Sequence, residues 1–223
     1  MSSAGITLYS YWRSSAAYRA RIALNLKELD YEIRGVHLVR DGGEQHSDDF
    51  HALNPQELVP VLVDGQRIIR QSLAIIEYLD ETRPEQPLLP ANARDRARVR
   101  SLALLVACDI HPLNNLRVLQ YLEGQAGLDK EQRDAWVRHW IESGFAAFES
   151  MLRDSSSTGE YCEGEMPGMA DICLVPQVFN AERFDVDMTP YPEIRRITEA
   201  CRELEAFRRA APENQPDAPD AAG

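Results

Sequence analysis

Lysine is nearly absent from this chain. Of 24 basic residues only Lys27 and Lys130 are lysines, so almost all the positive charge is arginine. An anion held here is therefore held by a planar guanidinium fork rather than by a mobile ammonium. Positive charge is also in deficit: against 36 acidic residues the net charge is −12. That argues against a general binder of nucleic acid or of anionic membrane, since both need a net attraction to phosphate. Cysteine is sparse. Cys108, Cys162, Cys173 and Cys201 are scattered and form no C-x-x-C pair. No disulfide framework and no metal site is expected; each thiol reads as a small buried hydrophobe, in a reducing cytoplasm. Long apolar runs are missing as well. The stretch Leu102 to Cys108 stops at Asp109, far short of the roughly 20 residues of a membrane span. Met1 to Gly5 carries no basic segment leading into an apolar one, so no secretion signal is expected.

What is present is 223 residues, 44% hydrophobic and 27% charged, the composition of a globular chain with room for one or two cored domains. The halves differ. Residues 6–11 read as a strand, Trp12 to Ser14 as a loop, and Ser15 to Leu29 as a helix with Ile22, Ala23, Leu26 and Leu29 on one stripe. Tyr31 to Leu38 is a second strand, and β-α-β implies parallel pairing through a right-handed crossover. After the turn Asp41-Gly42-Gly43, two short apolar runs flank Asp64-Gly65-Gln66, a hairpin signal. Ser72 is a good N-cap for a helix carrying Ile75, Ile76 and Leu79. The expected first half is a β-α-β-α-β-β-α unit over residues 1–87, ending in the linker Pro87 to Pro90. Beyond Asn92 no strand pattern appears. Helices are expected over 94–122 with a kink at Pro112, 129–152, 168–184 and 192–209, giving an all-α domain over 88–212. The Pro-, Asp- and Ala-rich residues 213–223 read as a flexible tail.

Several strings narrow the reading: Arg13 to Leu24, Asp41-Gly42-Gly43, Ala52 to Pro55, Gln71 to Leu79 and Asp171 to Gln177. Together they resemble the zeta class of the cytosolic glutathione transferases, the maleylacetoacetate isomerase family, over about residues 6–212. The resemblance implies a thioredoxin-like N-terminal domain followed by an all-α domain. It implies glutathione as cofactor, a dicarboxylate keto-acid as substrate and a homodimer, with no nucleic acid and no membrane. Two positions depart from the family: Ala16 stands where many members have cysteine, and His111 where others carry glutamine. Cys108 to Tyr121 resembles the maleylpyruvate isomerase branch, so maleylacetoacetate and maleylpyruvate both remain open as substrates. A broad transferase or dehalogenase, and a binding protein without chemistry, are the rival classes.

The resemblance places glutathione on Gln45, Val59, Gln71, Ser72, His111 and Asn115. It implies a cis bond between Val59 and Pro60 that turns the Val59 backbone to the cysteinyl part of the peptide in strand fashion. Ser72, at a helix start, suits a carboxylate. Ser14 and Ser15 are the catalytic pair. Lowering a thiol pKa from about 8.5 by roughly two units takes about 2.7 kcal/mol. A helix dipole supplies about 0.3–1 kcal/mol and a hydrogen bond to a charged group about 1.5–3 kcal/mol, so a hydroxyl is the larger contributor. One serine is expected to cap the helix and one to serve sulfur; the residues leave open which, and the family leans to Ser14. Arg13, Arg117 and Arg183 match family arginines near the substrate, where bidentate guanidinium suits a dicarboxylate. Gly168 takes the place of the usual Ser or Thr three residues before Asp171, removing a side-chain cap acceptor.

Overall fold

The computed structural model describes residues 5–219. The chain forms two units. The first runs to Leu88 and takes in the segment from Leu204 onward; the second is Leu89–Glu203.

The first unit carries strands β1 (Ile6–Ser10), β2 (Tyr31–Gly35), β3 (Val61–Asp64) and β4 (Arg67–Arg70), in the order β2-β1-β3-β4. β1 pairs parallel with β2 and antiparallel with β3, with Leu8 facing Ile33 on one side and Leu62 on the other. Leu8 and Leu62 are fully buried, each worth about 1.5–3 kcal/mol of transfer free energy. Gly65 (φ 61°) turns the two-residue β3–β4 hairpin, where a left-handed residue is needed. The helices are α1 (Ser15–Leu26), α2 (Asp48–Leu53), α3 (Ser72–Thr82) and α9 (Glu205–Ala210), and α1 packs on both α3 and α9.

Three expectations for this unit are corrected. The first helix stops at Leu26 rather than Leu29. Glu28 turns left-handed (φ 52°), and the N–H groups of Leu29 and Glu28 return to the carbonyls of Leu24 and Asn25. This is a Schellman end with glutamate where glycine is usual. The second strand stops at Gly35. The expected flexible tail is ordered as far as it is described. Pro212–Asn214 form a 3₁₀ turn, and buried Gln215 donates to the carbonyls of Arg209 and Ala211. The last four residues of that tail, 220–223, lie outside the described residues.

The second unit contains α4 (Ala93–Leu104), α5 (Leu116–Gly124), α6 (Lys130–Arg153), α7 (Met169–Arg183) and α8 (Pro192–Glu203). The expected single helix over 94–122 is interrupted earlier than Pro112. Leu105–Ile110 is a π-helix and His111–Asn114 a 3₁₀ turn. By length and composition Ala93–Gly124 could cross a membrane, but Val99, Leu102, Ala103, Val106 and Ile110 are buried, and α4 packs on α7. The π-turn sits against Gly144 of α6, where an added Cβ would fall 2.3 Å from the Ile110 side chain. It also leaves Cys108 exposed, against the expectation that every cysteine is buried. The pattern 192–209 breaks at Leu204, and its last turn is α9 of the first unit.

The start of α7 is half a capping box. Buried Asp171 accepts the N–H groups of Gly168 and Cys162, each at 2.9 Å, and burial pushes its carboxyl upward. Gly168 returns no side-chain bond. Gly168→Ser is expected to supply that bond and stabilise the protein by a few tenths to about 1 kcal/mol. The urea midpoint measures this; an equal or lower midpoint refutes the cap.

Candidate active site

Strand direction gathers the first unit's candidates at one end of the sheet. β1 ends at Ser10, and its partner register sets Tyr9 opposite Val61, the first residue of β3. Val61 in turn faces Arg70, the last residue of β4. β2, parallel to β1, ends at the same level. The loop into Ser14, the segment Val59-Pro60, the Gln71-Ser72 step and the connection bearing Gln45 therefore all leave the sheet from this end.

Ser14 is the N-cap of α1. Its Oγ accepts the Ala17 N–H at 3.2 Å, and its own O–H meets no acceptor among the described residues. A hydroxyl has lone pairs and a proton to spend separately, so capping leaves the donor available. Ser15, the first helical residue, is half-buried and makes no side-chain hydrogen bond among the described residues. Arg13 is half-buried, with its guanidinium 5.4 Å from the centre of the Trp12 ring.

The Val59–Pro60 bond is cis. Val59 is buried in a cluster with Tyr11, Val36, Phe50 and Val61, and its backbone N–H and C=O have no hydrogen-bond partner among the described residues. Gln71 is held at φ 71°, a region costly for a residue with a Cβ and found mostly where function requires it. It, rather than Ser72, is the N-cap of α3, which corrects the expected cap. Ser72 is the first helical residue; its buried hydroxyl accepts from Arg19 Nη1 at 3.5 Å. Buried Arg19 is a neighbour that sequence reasoning missed: it stands in the matched string, but nothing in its spacing points to Ser72.

Gln45 is buried. Its Nε2 donates to the Leu38 carbonyl (3.3 Å) and lies 3.0 Å from His46 Nε2, while Oε1 has no partner. A Cβ on Gly43 (φ 108°) would fall within 2.4 Å of this amide, so only glycine lets the side chain fold inward. His46 and His51 both meet Glu57, at 2.6 and 2.8 Å, and these bonds hold its carboxyl below the usual range.

In the second unit His111, Asn115 and Arg117 lie close together in sequence, while Arg183 stands apart at the end of α7. His111 follows the π-helix, and Asn115 caps α5 by accepting the Arg117 N–H at 3.2 Å. The Arg117 residue is exposed. Arg183 ends α7, its guanidinium 4.6 Å from the centre of the Phe184 ring.

The capping bond of Ser14 is tested by substitution. Ser14→Ala is expected to lose about 1 kcal/mol from the missing cap, and Ser14→Gly only a few tenths. Thermal or urea unfolding of the pair measures this; equal losses refute the cap.

Comparison with known proteins bears on this arrangement. Residues 8–87 match the family model for the glutathione S-transferase N-terminal domain. The chain is 58% identical over 213 residues to a protein named "Probable maleylacetoacetate isomerase" from Vibrio cholerae, covering 96% of this chain and 98% of that one. A holo structure of a maleylpyruvate isomerase, described as a bacterial zeta-class glutathione transferase, is 52% identical with a TM-score of 0.92, covering 95% and 99% of the two chains. A maleylacetoacetate isomerase from Methylobacterium extorquens, with bound malonate and glutathione, is 44% identical with a TM-score of 0.92, covering 96% and 99%. With a thioredoxin-like unit, a helical unit and identities of this size along nearly its whole length, the chain belongs to the zeta-class glutathione transferase and maleylacetoacetate isomerase family.

Proposed function

We propose that this protein is a glutathione-dependent cis–trans isomerase that converts maleylacetoacetate to fumarylacetoacetate. The observation that carries the reading is the Ser14 hydroxyl. It is anchored on α1 through its oxygen and has its proton uncommitted, at the sheet end where the cis-proline segment leaves. The residues present fit glutathione. Val59 offers an unpaired N–H and C=O for strand-like pairing, and α3 begins at Ser72 with N–H groups suited to a carboxylate. Gln45 brings a buried amide whose Oε1 has no partner.

The chemistry that bound glutathione supplies is reversible addition of its thiolate to the cis double bond, which becomes a single bond free to rotate until the thiolate leaves. Ser14 donates its hydroxyl proton toward anionic sulfur and so favours the thiolate. Ser15 adds a second hydroxyl at the first turn of α1. Gln45, Val59, Gln71, Ser72, His111 and Asn115 hold the peptide. Arg13, Arg117 and Arg183 bind the substrate carboxylates and the negative charge that develops during addition. Alanine at position 16 removes a possible second thiol, which this scheme does not use.

Maleylpyruvate is the second reading, favoured by the 52% identity to the zeta-class maleylpyruvate isomerase. We place the reaction in the cytoplasm, where four free cysteines are at home.

Direct assay with maleylacetoacetate and with maleylpyruvate distinguishes the substrates. Turnover is expected to require glutathione and to leave the total thiol titre constant; stoichiometric thiol loss would make the protein a conjugating transferase instead. In the same assay Arg13→Ala and Arg183→Ala are expected to raise KM for the diacid about tenfold, the loss of one charged hydrogen bond, and to spare a neutral haloalkane. Equal effects on both would remove these arginines from the substrate site.

We also propose a homodimer. A groove of about 630 Å³ on α4 and α6 has Leu104, Leu105 and Met151 in its lining beside the charged Arg96, Arg100 and Asp109, and Leu104 and Met151 are exposed. Sedimentation equilibrium is expected to give twice the mass of the 25.2 kDa chain; a single-chain mass refutes the dimer.

A further inference from the structure

The segment after α9 returns to the loop that carries the catalytic serine. Pro212–Asn214 turn once. Gln215 is buried and ties the turn down through Arg209 and Ala211, and the Ala218 N–H bonds back to the Gln215 carbonyl. Asp217 is thereby carried to the β1–α1 loop, where its Oδ2 accepts the Trp12 N–H at 2.9 Å. Its other oxygen, Oδ1, is buried with no hydrogen-bond partner, and the Asp217 side chain lies close to Gly35, against the end of β2.

Trp12 is two residues before Ser14, and both sides of its peptide environment are held. Its N–H goes to Asp217 and its C=O accepts from Arg21 Nη2 at 3.0 Å. The Ser14 N–H closes the loop onto the Tyr11 carbonyl at 3.0 Å, a carbonyl that Arg21 Nη1 also approaches at 3.4 Å. The course of the backbone from Tyr11 to Ser14 is thus set by one intra-loop bond, by Arg21, and by a carboxylate 205 residues further along the chain. Removing the carboxylate leaves the half-buried Trp12 N–H without its partner and frees the loop at the point just before Ser14.

We infer that Asp217 is a positioning residue for the Ser14 hydroxyl. The segment from Pro212 to Ala218 acts as a strap that fixes the Trp12 peptide and, through it, the direction of the serine O–H toward the cofactor sulfur. The inference rests on the reading that Ser14 serves that sulfur. What the role demands of Asp217 is an acceptor oxygen at the Trp12 N–H. Asparagine supplies one, and its amide nitrogen would occupy the place of the unpartnered Oδ1. Serine keeps the site polar but falls short of the N–H.

The test titrates the thiol of bound glutathione by its ultraviolet thiolate absorbance, alongside steady-state kinetics and melting temperature, for the parent protein, Ser14→Ala, Asp217→Ser and Asp217→Asn. Asp217→Ser is expected to raise the bound-thiol pKa by about half a unit or more. It is expected to lower kcat at neutral pH about fivefold, the equivalent of one lost hydrogen bond, while KM for glutathione stays within about twofold. Asp217→Asn is expected to match the parent in pKa and kcat. A melting temperature lowered in Asp217→Ser with an unmoved thiol pKa would mean a structural role only and overturns the inference, as does Asp217→Asn behaving like the serine variant. An unmoved thiol in Ser14→Ala overturns the assignment of Ser14 and this inference with it. A shifted thiol in Ser14→Ala beside an unmoved one in Asp217→Ser overturns the inference alone.

Discussion

One buried guanidinium organises the thioredoxin-like unit. Arg21 donates to Ser10 Oγ, to the carbonyls of Tyr11 and Trp12, and to the carbonyl of Ala210, 189 residues away. Burial lowers its pKa to about 10, still well above neutrality, so it stays charged inside the protein. A buried cation is tolerable only where acceptors surround it, and here every acceptor belongs either to the end of β1 and its outgoing loop or to α9. A lysine would present one rotating ammonium in place of a rigid fork and could not serve both directions with the same geometry. Lys27, one of the two lysines present, is enclosed in a different way, its single ammonium donating to Asp80 and to the carbonyls of Arg83 and Glu85.

Local signals served the sequence reading well where the structure is locally determined. The β3–β4 hairpin followed from Asp64-Gly65-Gln66, and the parallel β1–β2 pair from the β-α-β order. The candidate residues of the first unit came mostly from resemblance, because neither a serine at a helix start nor a valine before proline is distinctive alone. Three features left no local trace. The end of α1 carries glutamate in a left-handed position that normally announces itself by glycine. The π-helix at Leu105–Ile110 changes the phase of the apolar pattern without changing its composition, so a 3.6-residue period misplaces Cys108. The tail looked flexible because Pro, Asp and Ala predict little order by themselves, and its ordering partner, the Trp12 N–H, lies at the opposite end of the sequence. Gln45 falls between these cases: its polar context suggests a surface loop, and it is the missing side chain at Gly43 that admits it to the interior.

Capping α1 does not bar Ser14 from a second hydrogen bond. Ser14 spends a lone pair on the Ala17 N–H and retains its proton. The bond that fixes the side chain and the bond that would stabilise a thiolate use different parts of one hydroxyl, and the first restricts the direction of the second. Ser72 repeats the pattern, its oxygen taken by Arg19 while it stands at the start of a helix. Fixed donors of this kind need little rearrangement when charge appears in front of them, which is the condition for electrostatic stabilisation to be effective.

The first unit is discontinuous in the chain, since α9 and the segment beyond it are separated from the rest by the whole of the second. During synthesis the residues up to Leu88 leave the ribosome with α1 still lacking the helix that covers it and Arg21 still lacking the Ala210 carbonyl. The second unit is contiguous from Leu89 to Glu203. Domains ordinarily fold in the order in which they emerge; here the half made first is the half completed last, and a nascent chain cut between Arg183 and Glu205 carries the candidates from Arg13 to Arg183 while Arg21 still lacks the Ala210 carbonyl.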